Sequence, residues 1–137
     1  MKKEVSNMAK YEDTIKDIEK TLGIVPGFMK ALPEIVLIQE WPLFKKYNFE
    51  ETEIPAKYRE LMGLAVAANI KCPYCIIFHK GAAEMNGATK EELAETAFLA
   101  SYTARWSTII HAQNYDLETF KKEFEQIGKH LQKMMKK

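Results

Sequence analysis

The middle of the chain reads Cys72-Pro73-Tyr74-Cys75-Ile76-Ile77-Phe78-His79 and holds both cysteines of the 137 residues. Only two residues separate the cysteines. A disulfide across so short a loop removes little conformational entropy from the unfolded chain, so structural cross-linking is a poor reason for the pair. Reversible thiol–disulfide chemistry or metal ligation accounts for this spacing better.

The proline between the cysteines suits the first position of a helix, where its missing N–H costs nothing, with Cys72 at the N-cap. Offsets of three and four then place Cys72, Cys75 and His79 on one helix face. Cα atoms three residues apart on a helix lie about 5 Å from each other, within the range that a disulfide needs. The helix N-terminus favours a thiolate, and His79 can take a proton from Cys75. The stretch therefore predicts an activated thiol with a resolving partner.

The sequence before this stretch also indicates helices. Apolar residues recur at spacings of three and four over residues 4–21, which predicts an amphipathic helix; they are Val5, Met8, Tyr11, Ile15, Ile18 and Leu22. Pro26, Pro33 and Pro55 each fit the start of a further helix. Pro42 is expected to kink or end the helix that Pro33 opens, and residues 48–54 are expected to form a polar connector.

After the cysteines the helix is expected to run to about Met85, with Asn86-Gly87 as its stop. Thr89 and Glu92 form a capping box that opens a helix to about residue 112. Asp116 caps a final helix. The period-two alternation of strands is absent. The sequence thus predicts an all-α fold of six to seven helices, with residues 1–137 forming a single domain.

Composition narrows the function classes. The chain is 47% hydrophobic and 28% charged, with a formal net charge of +1, so it lacks the strong basic field typical of nucleic-acid binding. No apolar run is long enough to span a bilayer, and the first twenty residues lack a run of signal-peptide type. We therefore expect no nucleic-acid or membrane partner and a cytoplasmic location. In that compartment a C-x-x-C pair is more often catalytic or metal-binding than structural.

The cysteine pair has three alternative interpretations. Cys-Pro-Tyr-Cys is similar to a glutaredoxin active site, but that fold needs a strand before the motif and a later cis-proline, and no proline follows Pro73. The cysteines could instead be buried apolar residues. Zinc ligation by Cys72, Cys75 and His79 would need a fourth ligand; the candidates are Glu60, His111 and His130.

A longer pattern resembles a known family. Glu60 precedes Cys72 by eleven intervening residues, and Cys75 and His79 follow; this spacing is similar to the signature of AhpD-like proteins, in the alkylhydroperoxidase D and carboxymuconolactone decarboxylase superfamily. Residues 58–68, 81–83, 87–92 and 22–28 extend the resemblance, which covers about residues 20–112.

The resemblance implies an all-α fold with a paired-helix core, assembled as a homo-oligomer, commonly a trimer or hexamer. It implies reduction of a hydroperoxide or disulfide substrate by a protein or small-molecule thiol, with no organic cofactor and no metal. Within that pattern Cys75 attacks the peroxide, and Cys72 resolves the intermediate and meets the reductant. His79 and Glu60 form a proton relay to Cys75.

One position departs from the family pattern. The best-known members carry a histidine just before the second cysteine, where this chain has Tyr74. A phenol is not a proton acceptor near neutral pH, so that part of the relay is altered. The branch that decarboxylates a lactone generally lacks the cysteine pair, which disfavours that activity here. A non-catalytic oligomeric interaction protein on the same scaffold is the remaining alternative.

Overall fold

A computed structural model describes the backbone of residues 2–136 and the side chains of residues 8–136. Val5 of the predicted apolar stripe lies outside the described side chains. Within residues 2–136 the chain forms seven helices and no strand; they are α1 (Lys2–Leu22), α2 (Gly27–Lys30), α3 (Glu34–Phe49), α4 (Ala56–Asn69), α5 (Pro73–Met85), α6 (Lys90–Ala112) and α7 (Leu117–Met135). The predicted all-α class and helix number are confirmed.

The glutaredoxin alternative is contradicted by the same elements. Helix α4 precedes the cysteines where a strand would be needed. In the described part of the chain no peptide bond is cis. Without the strand and the cis-proline, the tetrapeptide cannot sit in a thioredoxin-like site.

The chain divides into two compact units, Met1–Arg59 and Glu60–Lys137, with the division inside α4. The first unit is built around a cluster of large apolar side chains. Ile18 of α1 is fully buried and packs with Met29, Leu37 and Trp41. That cluster stabilises the unit by removing apolar surface from water.

A carboxylate at the edge of this cluster links α1 to α3. Trp41 Nε1 donates a hydrogen bond to Asp17 Oδ2 at 2.7 Å, and Lys45 Nζ donates to both carboxylate oxygens at 2.8 and 2.9 Å. Lys45 and Trp41 lower the pKa of Asp17 by these hydrogen bonds. The indole N–H of a nearly buried tryptophan thus has a charged acceptor.

Of the two outcomes expected at Pro42, an end of the helix is excluded, because α3 continues through it to Phe49. An interior proline removes one backbone hydrogen bond and strains the preceding turn. Trp41 and Lys45, on either side of the proline, are both bonded to Asp17 of α1. These tertiary contacts hold α3 together across the proline. The connector between α3 and α4 spans residues 50–55, where 48–54 was expected.

The second unit buries mostly small side chains. Leu64, Ala67, Ala83 and Ala100 are buried, on α4, α5 and α6. The predicted helix ends are confirmed there. Gly87 has a φ of +85° after α5, the Thr89–Glu92 capping box forms at the start of α6, and Asp116 Oδ1 accepts from the backbone N–H of Thr119 at α7. Glu60 and Gly63 of α4 lie against His79 of α5, so these two helices meet at the site.

Candidate active site

Two helix ends meet at Cys72 and fix its backbone. Lys71 adopts a left-handed conformation with φ of 57°, which ends α4. The N–H of Cys72 then donates to the carbonyl of Ala67 at 3.1 Å. The same residue is the N-cap of α5, with Pro73 in the first turn, as the sequence predicts. The backbone of Cys72 is therefore fixed by the end of α4 before it and by the start of α5 after it.

The two sulfur atoms lie 2.9 Å apart, within hydrogen-bond distance. Both thiols are free and half-buried. The backbone N–H of Cys75 also donates to Sγ of Cys72, at 3.4 Å. Cys72 is thus the side-chain cap of α5, in the place that serine or aspartate usually takes.

This geometry separates the acidities of the two thiols. The hydrogen bond from the Cys75 thiol lowers the pKa of Cys72, and the backbone N–H of Cys75 lowers it further. The same thiol–thiol hydrogen bond raises the pKa of Cys75, because a thiolate already present on Cys72 opposes a second one. The pair therefore shares one proton over a range of pH, with the thiolate mainly on Cys72.

Glu60 and His79 form the other pair of the site. Glu60 is 2% exposed, the only charged or polar residue buried to this degree among the described side chains. Its Oε2 lies 2.8 Å from Nδ1 of His79, whose side chain is 27% exposed. An ionised carboxylate only accepts hydrogen bonds, so Nδ1 of the imidazole is then the donor, and in the neutral form of the ring Nε2 keeps a lone pair. In that neutral form the imidazole can accept a proton at Nε2.

The ring of His79 lies directly against Gly63 of α4. A Cβ on that glycine would be 2.5 Å from Cε1 and 2.8 Å from Cγ of the imidazole. Nothing in the sequence pattern by itself points to His79 as the neighbour of this glycine. The available signal is that Gly63 follows Glu60 by three residues, which places both on one helix face.

The structure thus brings the four predicted residues together as two pairs. Cys75 and His79 lie one turn apart on α5. No hydrogen bond joins the His79 ring to either sulfur among the described residues. His111 and His130 are exposed on α6 and α7 and take no part in either pair.

The geometry of the described side chains provides no set of ligands for the zinc ion of the alternative interpretation. Among residues 8–136 no three histidine, cysteine, aspartate or glutamate side chains are grouped so that they could hold a metal ion. The site instead contains two neighbouring thiols, an imidazole one helical turn from Cys75, and a buried carboxylate that is hydrogen-bonded to the imidazole. Such a group of residues can form and break a disulfide and move a proton.

Comparison with known proteins identifies the family. The model of the carboxymuconolactone decarboxylase family matches residues 39–115, more than half of the chain, and this region includes Glu60, Cys72, Cys75 and His79. The chain belongs to the carboxymuconolactone decarboxylase family. The AhpD-like assignment made from the spacing of these residues is therefore confirmed.

A solved structure and a curated relative agree with the family. The crystal structure of the alkylhydroperoxidase AhpD core from Rhodospirillum rubrum superposes with a TM-score of 0.69 at 25% identity, covering 88% of this chain and 92% of that one. "Uncharacterized protein 4 in cox locus" from Paracoccus denitrificans is 30% identical over 67 residues. That match covers 49% of this chain and 60% of the relative, so it spans less than two thirds of the relative's length.

Membership of the carboxymuconolactone decarboxylase family and the AhpD-like fold support a peroxidase-like or a decarboxylase-like role. In the described part of the chain, no helix combines the length and the apolar character needed to cross a bilayer. The choice between the two roles depends on the residues of the site.

Proposed function

We propose that this protein is a thiol-dependent hydroperoxide reductase that cycles between a Cys72/Cys75 dithiol and a disulfide. The observation that carries the proposal is the pair of free thiols 2.9 Å apart at the N-terminus of α5, with the pKa of Cys72 lowered. Decarboxylation of a lactone involves no thiol–disulfide exchange and therefore does not require such a pair. The similarity to the AhpD core supports the same choice.

In the first step the sulfur of Cys75 attacks the terminal oxygen of a hydroperoxide. The O–O bond breaks, an alcohol leaves with a proton, and Cys75 becomes a sulfenic acid. The thiolate of Cys72 then attacks the sulfenic sulfur, and the hydroxyl group leaves as water with a proton from solvent, which forms the disulfide. Two thiol groups of a reductant restore the dithiol through a mixed disulfide at Cys72, and the reductant leaves oxidised.

The proton that the two sulfurs share explains how Cys75 can be the nucleophile although Cys72 is the more acidic thiol. The nucleophile must be a thiolate, and Cys72 is the more acidic sulfur. Because the sulfurs are within hydrogen-bond distance, the proton can pass from Cys75 to Cys72 as Cys75 attacks. Nε2 of His79, one turn along α5, then passes that proton from Cys72 through a bridging water to the leaving alkoxide, while Glu60 stabilises the transient imidazolium. Cys72 is thereby left as the thiolate that attacks the sulfenic acid.

We further propose that the active protein is a homo-oligomer, a trimer or a hexamer. Large apolar side chains of α4, of α5 and of the turn between them are exposed in the isolated chain, which supports their burial in an assembly; they include Met62, Val66, Ile70, Tyr74 and Ile77. Light scattering coupled to size exclusion tests this point, and a monomer at micromolar concentration would contradict it.

The decisive experiment follows tert-butyl hydroperoxide consumption with dithiothreitol as reductant, using wild type, Cys75→Ser and Cys72→Ser. Wild type should turn over repeatedly. Cys72→Ser, reduced and then freed of dithiothreitol before peroxide is added, should consume one equivalent and accumulate a sulfenic acid on Cys75 that dimedone labels, because no resolving thiol is present. Cys75→Ser should do neither while keeping the helix content of wild type by circular dichroism.

Three results would overturn the proposal. Full turnover by Cys75→Ser would remove Cys75 from the reaction. Release of carbon dioxide from a carboxymuconolactone, retained in a variant lacking both cysteines, would establish the decarboxylase role instead. Wild-type thiols that do not react with iodoacetamide at neutral pH would favour the non-catalytic interaction protein.

A further inference from the structure

The contact between α4 and the His79 ring leaves no room for a side chain at residue 63. The nearest atoms to a Cβ built on Gly63 are Nδ1, Cε1 and Cγ of His79, and the distances to Cε1 and Cγ are 2.5 and 2.8 Å. Carbon atoms in contact are normally about 3.5–4.0 Å apart. The imidazole therefore occupies the volume that any side chain on Gly63 would fill.

We propose that Gly63 is a positioning residue that keeps the Nδ1 edge of His79 within hydrogen-bond distance of Glu60. The three ring atoms nearest to the missing Cβ are Nδ1 and its two neighbours in the ring, and Nδ1 is the atom bonded to Glu60 at 2.8 Å. A methyl group on residue 63 would displace this edge by about 1 Å to reach an ordinary contact distance. A shift of that size takes Nδ1 out of hydrogen-bond range of the carboxylate.

Two consequences follow from losing this hydrogen bond. Glu60, 2% exposed, would be left as a buried carboxylate without a partner. The neutral ring would no longer be restricted to the tautomer with the proton on Nδ1, so Nε2 would cease to be the constant proton acceptor. The first consequence stands on the contact alone, whereas any effect on Cys75 rests on the proposed function.

The chain provides a matched control at Gly81, in the interior of α5. A Cβ on Gly81 would meet no atom within 4 Å. Alanine is the better helix former at both positions, so intrinsic propensity favours both substitutions equally. Gly81→Ala should keep or raise the urea midpoint of unfolding, whereas Gly63→Ala should lower it. Equal midpoints for the two variants would overturn the proposal.

The tautomer supplies a readout that a merely structural role would not move. In 15N spectra of histidine-labelled protein, wild-type His79 should show the proton on Nδ1, with exposed His111 and His130 as internal references. Gly63→Ala should show mixed tautomers at residue 79 and unchanged signals for the references. Gly81→Ala should match wild type. A persistent Nδ1–H signal in Gly63→Ala would contradict the positioning role.

A double-mutant cycle keeps the test valid if Gly63→Ala folds poorly. In a His79→Ala background the ring that collides with the new methyl group is absent, so adding Gly63→Ala should no longer lower the urea midpoint. Failure of the double variant to recover would overturn the proposal. Neither the cycle nor the tautomer requires peroxide, so these results test Gly63 even if peroxidase activity is never found.

The effect on the thiols links Gly63 to the reaction. If the proposed relay operates, the pH profile of iodoacetamide alkylation in Gly63→Ala should move toward that of His79→Ala, and that of Gly81→Ala should match wild type. A moved tautomer with an unmoved alkylation profile would confirm the positioning of the ring and contradict the relay. The two failures are therefore distinguishable.

Discussion

Asp17 in the first unit and Glu60 in the second are both carboxylates bonded to an aromatic ring nitrogen, but their surroundings differ. Asp17 is 39% exposed in its side chain and accepts from the indole of Trp41 and the ammonium of Lys45. Glu60 is 2% exposed and, among the described side chains, is bonded to the imidazole of His79 alone. One carboxylate has two partners at the surface, and the other has one partner in the interior.

A structural carboxylate is distinguished from a functional one by whether its hydrogen-bond partner gains and loses protons near neutral pH. Neither an indole nor a lysine ammonium ordinarily becomes deprotonated near neutral pH, so the bonds to Asp17 only hold α1 against α3. Imidazole gains and loses protons in that range, so a carboxylate bonded to it can direct proton transfer. Burial of a charged group beside such a partner costs stability that a structural role alone would not need.

The largest expected difference is in activity. Glu60→Gln should lower peroxide-dependent thiol oxidation by about 100-fold, because an amide neither fixes the His79 tautomer nor stabilises its charged form. Asp17→Asn should leave the rate within about twofold, as its carboxylate plays no part in proton transfer. Steady-state peroxide assays with both variants measure this contrast. Comparable losses in the two variants would break the distinction.

The next difference is in stability. His79→Ala should lower the free energy of unfolding by about 2 kcal/mol, since it leaves Glu60 buried without a partner. Lys45→Met removes a partner from a half-exposed carboxylate that keeps its bond to Trp41, so it should cost less than about 1 kcal/mol. Urea unfolding gives both values. A smaller cost for His79→Ala than for Lys45→Met would show that Glu60 does not depend on its partner.

A third difference concerns the thiols. Cys75→Ala removes the thiol hydrogen bond that most lowers the pKa of Cys72, so that pKa should rise toward that of an ordinary cysteine. Cys72→Ala should lower the pKa of Cys75 for the converse reason. Iodoacetamide alkylation rates against pH report both shifts. Asp17→Asn should leave the wild-type profile intact, and shifts in the opposite directions would contradict the hydrogen-bonded pair.

The smallest expected effect is the loss, at acidic pH, of the stability that the hydrogen bonds of Asp17 contribute. Its pKa is lower in the folded chain than the ordinary 3.8, so its bonds stabilise the fold above that pH and lose this effect as pH falls through the lower folded value. The stability gap between wild type and Asp17→Asn should therefore close below about pH 4 and shrink in high salt. Thermal unfolding at several pH values tests this. A gap that widens in acid would contradict the assignment.

Local signals in the sequence predicted most of the elements. Pro73 at a helix start, the Thr89–Glu92 capping box and Asp116 each satisfy backbone groups within one turn, so no tertiary knowledge is needed to place them. Pro42 shows the limit of such signals, since contacts of α3 with Asp17 of α1 override the local preference of proline. Those contacts join residues that are far apart in the sequence.

The residues of the site also differ in whether local sequence signals could predict them. The spacing of Cys72, Cys75 and His79 on one helix predicted their shared face. Glu60 is on another helix, and only the family resemblance singled it out, because a helical glutamate is ordinarily solvated. Gly63 was missed as a partner of the ring, since the approach of α5 to α4 depends on packing that spacing does not encode.

The central claim is that Cys72 and Cys75 form a reversible redox pair. Mass spectrometry of the reduced protein after tert-butyl hydroperoxide, followed by proteolysis, tests it most directly. The peptide containing residues 72–75 should lose two hydrogen atoms, no other peptide should change, and dithiothreitol should restore the original mass. An unchanged mass, or stepwise addition of oxygen atoms that dithiothreitol does not reverse, would contradict the account.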